Sequence, residues 1–379
     1  MPSAPDVSHL DPFAPGTRRL TDPDTTRAAM RAAGPLVQAT APAGGPVWIV
    51  TDDTLARQVT TDPRIAKDPA FAPPAWDRRT AGLEPTAAEQ PSLTTLDGPE
   101  HAELRRAHAP LLSAKRVNER SERVHAIARE LLGELARHGT VDLMADFTTR
   151  YPLTVLLDIL GISLDHVDRA ADACRLMFAP DPAAQGTAIA ALAELAATAL
   201  ADGEGLAAEL GERMPPGTTA QQLRYHLFGL VFAGQLTTDA ALGFLVADAL
   251  GPDPAQGEAL VRRTLRDHPP APYTLWRYTT ADIEVAGVPI PARSPILVDI
   301  QGVNTRPGSP PGADLAFGAG PHFCVGAQLA QLELRAVADV LAADFPSARL
   351  AVPYGELRQS TLGGILGNRL TALPVVLAG

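Results

Sequence analysis

Cysteine is almost absent from this 379-residue chain, which has only Cys174 and Cys324. Two cysteines make no disulfide framework, and a thiol needed for chemistry is lost if it pairs. No segment is expected to reach the apolar length that spans a bilayer, so the sequence predicts no membrane segment. The first residues, Met1-Pro2-Ser3-Ala4-Pro5-Asp6, lack the basic and apolar regions of a secretory signal, which points to the cytoplasm. Basic residues are in deficit. Against 43 Asp and Glu there are 32 Lys and Arg, and the formal charge of -11 argues against nucleic acid or an anionic membrane as partner. Arg105, Arg106, Lys115, Arg116, Arg120 and Arg123 form a local exception, readable as a dock for an acidic protein or as a solvated helix face. There is no internal repeat and no composition break, so residues 1–379 are expected to form a single domain.

What is present is helix-forming sequence punctuated by proline. The 36 prolines cluster at 69–74, 269–272, 289–295 and 307–311, and mark turns between elements. Five stretches, 117–137, 143–160, 184–213, 220–250 and 326–344, carry Ala, Leu, Glu and Arg with apolar residues three and four apart, the spacing of a helix. Val47-Trp48-Ile49-Val50 reads as a strand, as do Ile283-Glu284-Val285, Val288-Pro289-Ile290 and Ile296-Leu297-Val298. The expected fold is mainly α with small β-sheets, an α+β arrangement with one β region early and one late. Residues 227–250 are apolar nearly all round, as a buried central helix is. Within it, Ala233-Gly234-Gln235-Leu236-Thr237-Thr238 predicts an interruption, with Gly234 admitting close backbone approach and a threonine hydroxyl bonding back to a carbonyl.

The run Phe317-Gly318-Ala319-Gly320-Pro321-His322-Phe323-Cys324-Val325-Gly326 carries the most chemistry. Its glycines, 318, 320 and 326, permit sharp turns and close approach to a flat ligand. Cys324 lies just before a helix that begins near Gly326, where free N–H groups and the positive dipole end favour a thiolate, the form that binds iron. The alternative is a small buried hydrophobe, the usual state of a free cysteine. Asp97-Gly98-Pro99-Glu100-His101 reads as a helix start, with Asp97 as cap, Pro99 in the first turn and Glu100 completing a capping box. His101 and Arg105, four apart, then share one face.

These segments resemble the cytochrome P-450 family, whose haem signature is Phe-Gly-x-Gly-x-His-x-Cys-x-Gly. The resemblance runs in order from the Trp48 strand to Leu373-Pro374-Val375 and implies the cytochrome P-450 fold. It implies haem b as cofactor, Cys324 as the iron ligand, and Phe317, Gly318, His322 and Gly326 as the rest of the haem loop. His101 and Arg105 match the family's His-x-x-x-Arg, which together with Arg277 and His322 would pair the haem propionates, since a buried carboxylate needs partners. Thr237 falls at the alcohol position of the family's Ala-Gly-x-Asp/Glu-Thr-Thr. The implied activity is a monooxygenase acting on a lipophilic small molecule of secondary metabolism, a polyketide, terpenoid or aromatic intermediate. Family positions put Phe228, Phe232, Ala233, Leu236, Tyr273, Thr274, Ile365 and Leu366 around an apolar substrate pocket. Electrons would come from a ferredoxin and ferredoxin reductase, docked over the basic helix of a monomer.

Two departures stand out. Leu236 occupies the place of the acid that, with the alcohol, relays protons in the family, and leucine neither donates nor accepts one. This favours, as an alternative, a haem-thiolate peroxygenase or a coupling, dehydration or rearrangement enzyme; a haem protein without catalysis is a third reading. Arg263-Thr264-Leu265-Arg266 replaces the family's Glu-x-x-Arg, and the meander before Phe317 is short and without its arginine. Two buried arginines without a carboxylate would be destabilising, so both losses together make one coherent change. Arg263 is then expected to turn to solvent and Arg266 to bond backbone carbonyls or another carboxylate.

Overall fold

The computed structural model describes residues 3–76, 90–177, 181–202, 204–308, 314–361, 363–365 and 367–378. Leu366 and most of the short meander, residues 309–313, lie outside them. One helix, Ala220–Ala249, organises the core. It starts on a capping box, in which Thr219 Oγ1 accepts from Gln222 N–H and Gln222 Oε1 accepts from Thr219 N–H. Helices Arg150–Leu160, Pro182–Asp202, Gly257–Asp267 and Ala327–Asp344 pack around it, which accounts for its apolar circumference. Gly234 lets Leu156 pack closely, since a Cβ there would stand 3.1 Å from Leu156 Cδ1 and push that side chain back by a few tenths of an ångström.

The predicted interruption is not there. The helix continues through 233–238, and Thr237 Oγ1 donates to the Ala233 carbonyl at 2.9 Å without breaking the backbone ladder. Three other predicted helices are divided instead: into Ala114–Asn118 and Ser121–Leu135, into Leu143–Asp146 and Arg150–Leu160, and into Pro182–Asp202 and Gly205–Arg213. Their apolar spacing carries on across short turns, so periodicity alone does not register the breaks. The expectation about membrane length also needs correction. Ala183–Ala201 and Ala220–Ala249 are both long and apolar enough to cross a bilayer by length and composition, although the second is mostly buried within the protein.

The β regions frame the helices. Strands Leu36–Thr40, Pro46–Val50, Pro295–Val298, Arg277–Thr279 and Ile65–Ala66 form a five-stranded sheet in that order, with Trp48 parallel to Ile296. Arg277 stands opposite Ile296 in that sheet. Gly16–Arg19, Arg358–Thr361 and Asn368–Leu370 form a second sheet, and its last strand lies against the central helix. Thr140–Asp142 pairs with Pro374–Val376, and Ile283–Val285 with Val288–Ile290.

Arg263 does not turn to solvent as expected, while Arg266 bonds a carboxylate, one of the two kinds of partner expected for it. Arg263 is half-buried and donates to the Asp253 carbonyl at 2.8 Å, whereas Arg266 is exposed and pairs with adjacent Asp267 at 2.7 Å. Arg263 faces carbonyls near the end of the central helix, whose unpaired acceptors draw it inward.

Candidate active site

The cysteine loop is built by local hydrogen bonds. Cys324 N–H donates to the Phe317 carbonyl at 2.9 Å and Gly318 N–H to the Leu315 carbonyl at 2.8 Å. Gly318 and Gly320 take φ of 72° and 70°. At Gly320 a Cβ would come within 2.8 Å of Thr61 Cγ2 and 3.0 Å of the Thr60 carbonyl, so this glycine seats the loop on helix Asp53–Thr61. Gly326 differs from expectation: its φ is ordinary, and it caps the helix Ala327–Asp344 behind the cysteine. Cys324 is an exposed residue, but the protein atoms around its sulfur push its pKa up, opposed by the N–H groups of Gly326 and Ala327 and by Arg105. A cation facing the sulfur is what tips such a site to thiolate.

Beside the loop lies a buried basic group. Arg277 is 4% exposed, its Nε has no partner among the described residues, and burial draws it down to about 10. His101 packs against His322 with the rings tilted by 38° and their centres 4.1 Å apart, and its Nε2 is also without a partner among the described residues. Burial, His322 and Arg105 hold His101 to about 4, so near neutrality it offers an N–H rather than a charge. Lys67, which sequence reasoning missed, joins the group, and burial and Arg277 push it down to about 7. Arg105 has no ion-pair partner among the described residues.

Asp97 does not cap its helix, contrary to expectation. Its Oδ2 accepts from Lys67 N–H at 2.6 Å and Asp68 N–H at 3.1 Å, and its Oδ1 accepts from His322 Nε2 at 2.9 Å. Three outside donors outcompete the helix N–H groups, and they hold the carboxyl below its usual range against the effect of burial. Burial keeps His322 below the ordinary histidine range; its Nε2 faces the Asp97 carboxylate at 2.9 Å and its Nδ1 the Leu93 carbonyl at 3.3 Å, two acceptors of which a neutral ring can donate to one.

A cavity of about 400 Å³ opens on the central helix. Leu236, Thr237, Tyr273 and Ile365 line it, together with Ala271, Leu275 and Leu370. Phe228, Phe232, Ala233 and Thr274 are not among its lining residues. Phe228 and Phe232 stack on each other at 5.7 Å in the main core, and the Thr274 hydroxyl accepts from Val298 N–H at 3.1 Å, pinning backbone. One part of the wall is polar: Asp239, on the same helix, pairs with Arg369 at 3.2 Å.

Sequence reasoning also missed Asp239, Arg369 and Glu333. The helical spacing of Leu329, Leu332 and Ala336 places Glu333 on the buried face, and that signal was legible. Asp239 and Arg369 carried no comparable signal, since they lie 130 residues apart and meet only through the second sheet.

No family model matches the chain. Among curated proteins, the cytochrome P-450 monooxygenase DoxA of Streptomyces sp. (strain C5) is 40% identical over 98% of each chain. The cytochrome P450 monooxygenase PikC of Streptomyces venezuelae is 31% identical, over 92% of this chain and 90% of its own. Among solved structures, CYP154C4 from Streptomyces sp. W2061 superposes with a TM-score of 0.83 at 26% identity, covering 100% of this chain and 98% of that one. CYP154A1 from Streptomyces coelicolor A3(2) gives 0.82 at 27%, over 99% and 100%. Fold and relatives define the class as a haem-dependent oxidoreductase. The chain belongs to the cytochrome P-450 family and is a monooxygenase of that family.

Membership implies haem, and the residues fit it. The donor set offers one thiol backed by helix N–H groups and, beside it, Arg277, His101 and Lys67. Two of these carry buried nitrogens without partners, which two propionate carboxylates would satisfy.

Proposed function

We propose that this protein holds haem b through Cys324 and oxidises a lipophilic small molecule in secondary metabolite biosynthesis. The supporting observation is the loop that presents the Cys324 thiol at the capped start of Ala327–Asp344, next to buried cations. His101, Arg105, Arg277, His322 and Lys67 would hold the propionates, and Phe317, Gly318 and Gly326 would shape the loop against the ring. Haem, when bound, supplies activation of dioxygen for insertion of one oxygen atom.

The chain's own residues bind and orient. Leu236, Ala271, Leu275, Ile365 and Leu370 give the cavity an apolar wall that excludes water from a lipophilic substrate. The Thr237 hydroxyl, its proton directed to the Ala233 carbonyl, keeps lone pairs free to accept from water in the cavity. Electron supply by a ferredoxin and its reductase, a monomeric state and a cytoplasmic location complete the reading. Of the proposed docking cations, Arg106 is exposed, while Arg116 pairs with Glu209 and Arg123 with Asp158.

A second reading, turnover with peroxide or coupling chemistry, is favoured by Leu236, an apolar side chain on the cavity wall beside Thr237. One experiment tests the first reading. The reduced carbon monoxide adduct should show the strongly red-shifted Soret band of thiolate ligation; Cys324→Ala should abolish it and Cys174→Ala keep it. A histidine-type spectrum in folded parent protein would overturn the assignment.

A further inference from the structure

Taking the cavity as the substrate site proposed above, we infer that Gln235 and Arg369 form a polar subsite that recognises a hydroxyl group, an alcohol or phenol, on an otherwise apolar substrate. Asp239 organises this subsite. Its carboxylate accepts from Thr149 Oγ1 at 3.0 Å, from Gln235 Nε2 at 3.2 Å and from Arg369 Nη2 at 3.2 and 3.3 Å. All four side chains line the cavity.

A carboxylate only accepts, so the Gln235 amide has one orientation, nitrogen towards Asp239 and oxygen away. That leaves Gln235 Oε1 with no partner in a side chain that is 1% exposed, and Arg369 Nε is likewise buried and unpartnered among the described residues. An unmet acceptor and an unmet donor in one wall are costly until a ligand meets both. A hydroxyl is the smallest group that does so, accepting from Arg369 and donating to Gln235. An ether oxygen meets only Arg369, and a hydrocarbon meets neither. The apolar part of the lining, Leu236, Ala271, Leu275, Ile365 and Leu370, suits the rest of an apolar scaffold, and the other hydroxyls of the lining, Thr237 and Tyr273 among them, are single groups rather than an acceptor and a donor left unmet together.

Three flat probes of similar size separate these cases: 2-naphthol, 2-methoxynaphthalene and naphthalene, measured by equilibrium dialysis against the ferric holoenzyme. A wall without the subsite prefers naphthalene, because a hydroxyl taken from water without partners is penalised. The parent is expected to retain 2-naphthol about tenfold more tightly than naphthalene, with the ether between them. Gln235→Leu, which leaves the Asp239–Arg369 pair intact, should erase the advantage of the phenol over the ether. Arg369→Met should erase that of the ether over naphthalene. The inference is overturned if the parent holds naphthalene as tightly as 2-naphthol, if it retains neither, or if Gln235→Leu keeps the parent ratios. The carbon monoxide spectrum of each sample separates the two levels: loss of the thiolate band in the parent refutes the haem-thiolate reading, whereas a normal band without phenol preference refutes this subsite alone.

Discussion

Replacing Glu333 with glutamine should cost a little stability in acid and add it in base, the gain growing as pH rises. Glu333 is 2% exposed; Thr238 Oγ1 donates to its Oε2 at 3.3 Å, and its Oε1 has no partner. Burial pushes the carboxyl up from 4.5 to about 8, and the Thr238 hydrogen bond opposes this only in part. Near neutrality the folded protein therefore keeps Glu333 protonated, whereas the unfolded chain ionises it. Between pH 4.5 and about 8 the native state binds the extra proton, so stability falls as pH rises through that window and levels off above it. The full difference corresponds to about 5 kcal/mol, an upper figure that relaxation around the carboxylate reduces. Glutamine keeps an acceptor for Thr238 and cannot ionise, while its amide nitrogen adds a buried donor that costs about 1–2 kcal/mol. The variant should therefore sit slightly below the parent at pH 5 and about 2–4 kcal/mol above it at pH 8.5. Urea unfolding of both holoenzymes at intervals from pH 5 to 8.5, followed by circular dichroism and the Soret band, reads this directly. A difference that stays constant, or shrinks as pH rises, would refute a neutral buried Glu333.

Arg277→Ala or Arg105→Ala should speed transfer of haem to apomyoglobin by about ten- to a hundredfold, the worth of one charge-assisted hydrogen bond. Arg106→Ala and Arg116→Ala should leave the rate near that of the parent, and equal rates in all four variants would contradict the propionate assignment. If proton delivery is weak beside Leu236, the parent should release hydrogen peroxide at the expense of product, Thr237→Ala should worsen this, and Leu236→Asp should improve it. Tight coupling in the parent with no effect of Thr237→Ala would instead favour the second reading.

The helical framework was legible because long apolar periodicities survive burial: 220–250 and 326–344 correspond to Ala220–Ala249 and Ala327–Asp344 almost residue for residue. The strands at 47–50, 283–285, 288–290 and 296–298 were legible from β-branched runs between turns. The strands Gly16–Arg19, Arg358–Thr361 and Asn368–Leu370 were not, because they are short and polar, and the first is defined by a partner far away in sequence. The same division runs through the site. The cysteine loop is contiguous and could be read, whereas Asp97 looked like a helix cap because its true partners, Lys67 and His322, are set by tertiary contact. Phe228 and Phe232 lie four residues apart on the central helix, and residue type alone does not tell a core pair from a cavity wall.

The bond from His322 to Asp97 spans 225 residues. On a ribosome adding about 5–20 residues each second, Asp97 waits roughly 10–45 seconds for its partner to be made. Lys67 and His101 are made at or near the start of that interval and Arg277 only late in it, while the loop that bears Cys324 comes at its end. With Cys324 as the proposed iron ligand, cofactor capture would be a closing event in the life of the nascent chain.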